Sequence, residues 1–200
     1  MKEKVVKVEI IAYEDAMFEA CVQLLADAFI ANPLHMKAFG KDILSRNYGF
    51  FTIALKSFRG HRSVALIDNK IVGFIHWVHS TKCQFSKLEK LASMPAMISS
   101  LGLESTINVA KWLSHWERCD PPFEHLHLGP IAVSPSARGL GIGTALMQQF
   151  CYVADKLRLT GYLETDRPEN LPFYEHFDFT ILQEKKVLGV TNFFMARNLP

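Results

Sequence analysis

Nowhere in the 200 residues do about 18 uncharged apolar residues run together, as a helix crossing a bilayer would need. The opening MKEKVVKVEI interleaves charge with short apolar runs and lacks the apolar core of a secretion signal. Cysteine is scarce. Cys21, Cys83, Cys119 and Cys151 stand far apart, form no C-x-x-C pair and lie mostly in apolar stretches, so buried free thiols are expected. These absences point to a cytoplasmic chain with no membrane partner, and no metal is called for. Charge of one sign is missing too: 22 Lys and Arg against 20 Asp and Glu leave a net +2, scattered along the chain, so no nucleic-acid partner is expected. Repeats, low-complexity tracts and linkers are lacking as well. With 49% hydrophobic residues, the whole span 1–200 reads as a single domain able to bury its own core.

Hydrophobic periodicity orders the chain. Residues 4–11 read as a first strand. Phe18, Cys21, Val22, Leu25 and Phe29 recur at helical spacing, and Pro33 in ANPLH is expected to close that helix. Leu44, Tyr48, Phe51, Leu55 and Phe58 mark a second amphipathic helix, with Phe50, Phe51, Phe58 and Phe74 read as core. RSVALID and IVGFIHWVHS, joined at Asp68 and Asn69, read as a β-hairpin whose second strand, apolar on both faces, lies inside the sheet. Residues 85–118 read as two or three short helices, interrupted at Pro95 and Gly102. Then follow a strand HLHLGPIAV, a helix TALMQQFCYVADKL, a strand TGYLETD, a short helix in NLPFYEHF, and two closing strands.

Between HLHLGPIAV and its helix sits ARGLGIG, residues 137–143. A glycine-rich turn entering a helix has two readings: glycines chosen for backbone angles alone, or an anion cradle of free N–H groups at the positive end of the helix dipole. No G-x-x-x-x-G-K-[ST] occurs, which removes the nucleoside-triphosphate loop. The dinucleotide fingerprint fails as well, because its last glycine would fall on Thr144 or Leu146.

What does match is R-x-x-G-x-G, Arg138 to Gly143, after a strand ending IAVSP. Here the sequence resembles the GNAT superfamily of acyl-CoA-dependent N-acyltransferases, and the order of elements agrees over nearly the whole chain. The resemblance implies an α+β (α/β) three-layer fold: a central mixed, mostly antiparallel sheet with one splayed strand pair, helices on both faces, and a helical insertion at about 85–118. It implies acetyl-CoA as co-substrate, its pyrophosphate held by Arg138, Gly139, Leu140, Gly141, Ile142, Gly143 and Thr144. Ile131, Ala132 and Val133 would run beside the pantetheine arm and supply the oxyanion N–H, and Asn170 would hydrogen-bond near that arm. Tyr174 would face the thioester sulfur. Relatives commonly carry glycine where Asp178 stands; aspartate tolerates the left-handed region, so the turn can survive.

The expected activity is transfer of an acetyl group to the primary amine of a small acceptor by direct attack. The alternatives are a non-catalytic acyl-CoA-binding regulator and, further off, a dinucleotide-binding oxidoreductase. Only about one alkyl ammonium in 2,500 is deprotonated at pH 7, so a base is needed. His125 and His127, two apart on one strand, face the same way, and an imidazole titrates near neutrality. A member of the superfamily has a similar His-x-His on the matching strand. Glu164 is a second base, a group that holds the acceptor's ammonium, or a solvated strand end; whether His127, His125 or Glu164, directly or through water, takes the proton stays open. Gly129-Pro130 predicts a bulge in the strand. His76 and His79 line the acceptor side or pack at an edge. The acceptor site is expected from ANPLHM and residues 85–118, with Trp112, Trp116 and Phe123, which favours a small amphipathic amine. A homodimer is compatible with the sequence, which does not decide it.

Overall fold

The computed structural model describes residues 7–198. Strands β1 (Glu9–Ala12), β2 (His61–Ile67), β3 (Lys70–His79), β4 (His125–Val133), β5 (Thr160–Thr165), β6 (Thr180–Val187) and β7 (Val190–Arg197) form one open sheet in the order β1-β2-β3-β4-β5-β7-β6. All neighbours are antiparallel except β4 and β5, which are parallel. The expected first strand is β1, four residues long; the part of it before residue 7 lies outside the described residues.

Helices are α1 (Phe18–Ala28), α2 (Pro33–Phe39), α3 (Ile43–Ser57), α4 (Ser80–Cys83), α5 (Lys87–Leu101), α6 (Leu103–Cys119), α7 (Ile142–Leu157) and α8 (Leu171–Glu175). On one face of the sheet, Leu146, Met147 and Phe150 of α7 and Tyr174 of α8 pack on Leu126, Leu128 and Leu163. On the other, Cys21, Val22 and Leu25 of α1 and Phe51 and Leu55 of α3 cover Val64 and Phe74. A third cluster joins α2, α5 and α6 through Leu34, Phe39, Met97 and Trp112. No single helix among the described residues is long and apolar enough to cross a membrane.

The hairpin turn is as its residues require: Asp68 and Asn69 both have positive φ, 49° and 60°, which a two-residue turn of this hand demands. Asp178 likewise sits at φ 64°, so the turn after α8 is made without glycine. Two helical expectations are corrected. Pro33 does more than follow α1: it opens α2 at its first position, where a missing N–H costs nothing, with Asn32 accepting from His35 N–H at 3.1 Å as cap. Residues 85–118 hold two long helices, not several short ones, because Pro95 lies inside α5. The carbonyl it orphans belongs to Leu91, 67% exposed, so water can satisfy it. Gly102 does separate the two, at φ 79°.

Candidate active site

The bulge expected at Gly129-Pro130 is present. Trp77 pairs with Leu128 and Ile75 with Ile131, so His76 alone opposes two residues of β4. Pairing with β5 stops at the same place: Leu128 to Leu163 is the last register partner, and beyond it β5 pairs only with β7. The two parallel strands therefore part at the bulge. Ser134 N–H bonds Val72 O at 2.8 Å, so by alternation the N–H groups of Ile131 and Val133 point away from β3, into the gap.

At the end of β4 a 3-10 turn, Pro135–Ala137, leads to Arg138 and the glycines. Gly139 and Gly141 have φ of 80° and 76°, and a Cβ on either would meet nothing within 4 Å. The glycines thus serve backbone angle rather than packing, and the space over the loop is open to a ligand. α7 starts at Ile142, so the free N–H groups of its first turn face that space. The helix sits low on the sheet because Gly73 of β3 has no side chain: a Cβ there would lie 2.9 Å from Ile142 Cγ2.

Loop and gap open on one cavity of about 790 Å³, within the roughly 300–1,000 Å³ usual for small-molecule sites. Of the residues singled out from the sequence, Ile131, Ala132, Val133, Arg138, Gly139, Gly141, Ile142, Gly143, Thr144, Asn170, Tyr174, His127 and Glu164 line it. Leu140 does not; it is 47% exposed at the tip of the loop. Nor does His125, buried behind His127 and bonded through Nδ1 to Phe123 O at 2.9 Å.

His127 Nε2 lies 2.8 Å from Glu164 Oε2. An ionised carboxylate can only accept, so Nε2 carries the proton and has no lone pair for an amine. Nδ1 looks the other way, toward Asp120 at 3.7 Å. Burial opposes a charge on this ring, yet the Glu164 carboxylate, with Cys83 and Asp120, holds its pKa at about 10. The imidazole nitrogen offered as a base by the sequence is thus engaged, while Glu164 Oε1 is buried without a hydrogen-bond partner in a side chain 3% exposed. Tyr174 is 7% exposed with its ring against Phe173 and Phe179. Burial and then the charge of Asp166 raise its pKa to about 12, so its phenol keeps its proton.

The opposite wall is aromatic: Phe29, Phe50, Phe51, Phe58, Trp112 and Trp116. Phe50, Phe51 and Phe58, read as plain core, form part of this wall, whereas Phe123, 44% exposed, lies off it. His76 also lines the cavity, its ring stacked on Phe58 and bonded to Gly129 O and Arg59 O; His79 instead caps α4. Asp166 was not anticipated. It accepts from Asn32 Nδ2 at 2.7 Å and Leu34 N–H at 2.6 Å, pinning the start of α2 against the end of β5. No spacing signals a pair 134 residues apart; the only hint was an acidic residue ending a strand.

A parallel strand pair that parts at a bulge and a glycine-rich loop opening a helix, both facing one cavity, are the architecture of an acyltransferase. The chain belongs to the acetyltransferase (GNAT) family, whose model matches residues 19–179. Among solved structures it is similar to the histone acetyltransferase HPA2 and related acetyltransferase from Corynebacterium glutamicum, with TM-score 0.74 and 21% identity over 96% of this chain and 97% of that one. It is similar also to arylalkylamine N-acetyltransferase 2 from Aedes aegypti, TM-score 0.70 and 11% identity over 97% and 100%. The polyamine N-acetyltransferase of Drosophila melanogaster matches at TM-score 0.64 and 14% identity over 96% and 100%. At these identities the likeness is one of fold.

Proposed function

We propose that the chain transfers the acetyl group of acetyl-CoA to the primary amine of a small, largely apolar acceptor by direct attack, with Glu164 as proton acceptor and Tyr174 as hydrogen-bond donor to the leaving thiolate. The pyrophosphate would rest on the N–H groups of residues 139–144 beside Arg138, and the pantetheine arm would follow the β4 edge near Asn170. The carrying observation is that Glu164, whose Oε1 is without a hydrogen-bond partner among the described residues, lines the same cavity as Tyr174 and the loop.

The chemistry follows from the groups. The acceptor's ammonium gives its proton to Glu164, which His127 Nε2–H orients; the amine nitrogen then forms the new C–N bond. Charge growing on the carbonyl oxygen meets the N–H groups of Ile131 or Val133. The C–S bond breaks with the sulfur departing as thiolate, and the second proton lost by the nitrogen passes to that sulfur, so CoA is released as thiol. With the phenol at about 12 and a thiol at about 8.5, full proton transfer from Tyr174 would be uphill by about 5 kcal/mol, so the hydroxyl donates a hydrogen bond only.

Electrostatics narrow the acceptor. Asp166 has both carboxylate oxygens engaged and Glu164 one, which leaves a single unpartnered carboxylate oxygen on Glu164, while Arg59, Lys82, Arg138 and Arg167 stand around the cavity. One positive charge on an apolar body suits this better than a polycation. The test is release of CoA thiol from acetyl-CoA across arylalkylamines, polyamines, aminoglycosides, amino acids and peptide N-termini. Arylalkylamines are expected to turn over at least tenfold faster, by kcat/KM, than polyamines. Equal or better polyamine turnover overturns the acceptor class, and acetyl-CoA binding with no thiol release from any amine overturns the reaction.

A further inference from the structure

The structure assigns a divalent-cation site of zinc type to Cys83, Asp120, His125 and His127. Their ligand atoms all lie within 4.8 Å of one another. Asp120 Oδ1 is 3.3 Å from His125 Nε2 and 3.7 Å from His127 Nδ1, and Cys83 Sγ is 3.3 Å from Asp120 Oδ2. Four donors on a tetrahedral zinc, at bond lengths of about 2.0–2.3 Å, stand roughly 3.3–3.8 Å apart, so small adjustments bring these atoms onto one ion.

Two further observations point to a ligand. Asp120 Oδ1, His125 Nε2 and His127 Nδ1 are buried without a hydrogen-bond partner, the close approaches lacking hydrogen-bond alignment. The His125 side chain is 0% exposed. Each histidine meanwhile gives its other ring nitrogen to an acceptor, His125 Nδ1 to Phe123 O at 2.9 Å and His127 Nε2 to Glu164 at 2.8 Å. That is how metal-binding imidazoles are held: the outer N–H is spent on a carbonyl or carboxylate, and the inner nitrogen, whose proton the metal displaces, faces the ion. Gln84 Nε2 steadies Asp120 Oδ2 from outside at 2.9 Å. One thiolate and one carboxylate neutralise a divalent charge, and the mixed sulfur, nitrogen and oxygen set suits zinc rather than magnesium or calcium.

Three separate segments meet there: the end of α4, the residue after α6, and β4. Four protein ligands close the coordination shell, so the ion's role is structural. It ties the helical insertion to the catalytic strand and fixes the His127 tautomer that orients Glu164, making His127 a positioning residue. The sequence gives no warning, since only H-x-H is local and Cys83 is 42 positions before His125. Metal binding stands apart from the acetyl-transfer reading and is read without activity.

Tag-free protein, stripped with a chelator, would be titrated with Zn²⁺ against a chromophoric competitor and with Co²⁺ by absorption. Expected are one equivalent per chain, tetrahedral cobalt bands and a thiolate-to-cobalt charge-transfer band. Cys83→Ser should abolish that band, and Cys83→Ser and Asp120→Asn should each weaken Zn²⁺ at least about tenfold; Cys119→Ser should do neither. Substoichiometric Zn²⁺, or a charge-transfer band that survives in Cys83→Ser, overturns the site and leaves a hydrogen-bonded cluster only. If Cys83→Ser fails to fold, the wild-type cobalt spectrum decides: a tetrahedral, thiolate-bound ion supports the site and its absence overturns it.

Discussion

Replacing Tyr174 by phenylalanine isolates one hydroxyl. The ring, at 5.4 Å from Phe173 and 6.3 Å from Phe179, keeps its packing, and no hydrogen bond to the hydroxyl exists among the described residues, so the substitution orphans nothing. Stability should therefore stay within about 0.5 kcal/mol of the parent. Turnover should not. A hydrogen bond to a charged partner is worth about 1.5–3 kcal/mol, and this one strengthens only as the sulfur takes up charge, so kcat should fall by roughly 10- to 150-fold. Dissociation of acetyl-CoA, measured by calorimetry on the same preparation, should move less than about twofold, because the ground-state thioester sulfur is a poor acceptor. A thioester of a more acidic thiol needs less help in leaving, and should recover much of the lost rate in the variant and little in the parent. An unchanged kcat, or a loss shared equally by binding and turnover, refutes the role.

Glu164→Gln keeps the volume and an acceptor for His127 but removes the base, and kcat/KM for a primary amine should drop by about 10²- to 10⁴-fold; full activity in steady-state assays would move the proton elsewhere. Gly141→Ala forces a side chain to φ 76°, at a cost of about 1–2 kcal/mol, whereas Gly143→Ala brings a Cβ only to 3.5 Å from Phe173. Acetyl-CoA titrations should find the first weakened about tenfold and the second nearly unchanged; equal effects would mean that backbone angle is not what the loop requires. His35, bonded through Nδ1 to Asn47 Oδ1 at 2.8 Å, is held by burial at a pKa of about 4 against 6.5. Its folded pKa is the lower one, so the unfolded chain binds the extra proton: stability is whole above pH 6.5 and falls as pH drops toward 4, by about 3 kcal/mol. Denaturant unfolding at pH 7 and 4.5 should show a slope that His35→Gln reduces, and an identical slope in both would remove His35 as its source.

The glycine loop, the hairpin turn and the bulge were legible because each rests on a residue with a backbone restriction of its own: glycine at positive φ, Asp-Asn in a two-residue turn, proline without an N–H. Pro33 and Pro95 misled for the same reason, since proline is equally at home opening a helix and, where the orphaned carbonyl reaches water, inside one. Site chemistry was harder. His127 and Glu164 lie 37 positions apart and meet only because parallel pairing sets His127 against Tyr162, leaving Glu164 one step beyond the last pair. Asp120 carries no spacing at all. An isolated histidine suggests a titrating base; only the contact across the strands shows which nitrogen is occupied.

The bulge at Gly129-Pro130 accounts for several of these features at once. Before it, Leu126 and Leu128 pack with α7 while His127, on the other face, lines the cavity. A regular strand would continue that alternation and aim Ala132 at α7 and its larger neighbours Ile131 and Val133 away. With one extra residue the parity reverses: Ile131 and Val133 pack in the α7 cluster, and small Ala132 faces α1 and α3. The apolar face under the phosphate loop is thereby kept continuous, while the polar pair His127 and Glu164 stays at the mouth of the gap. The same extra residue turns β4 out of register with β5, which frees the N–H groups of Ile131 and Val133 that a thioester carbonyl would need. Core packing and the geometry of the proposed site thus both depend on two residues that neither ionise nor belong to the aromatic wall.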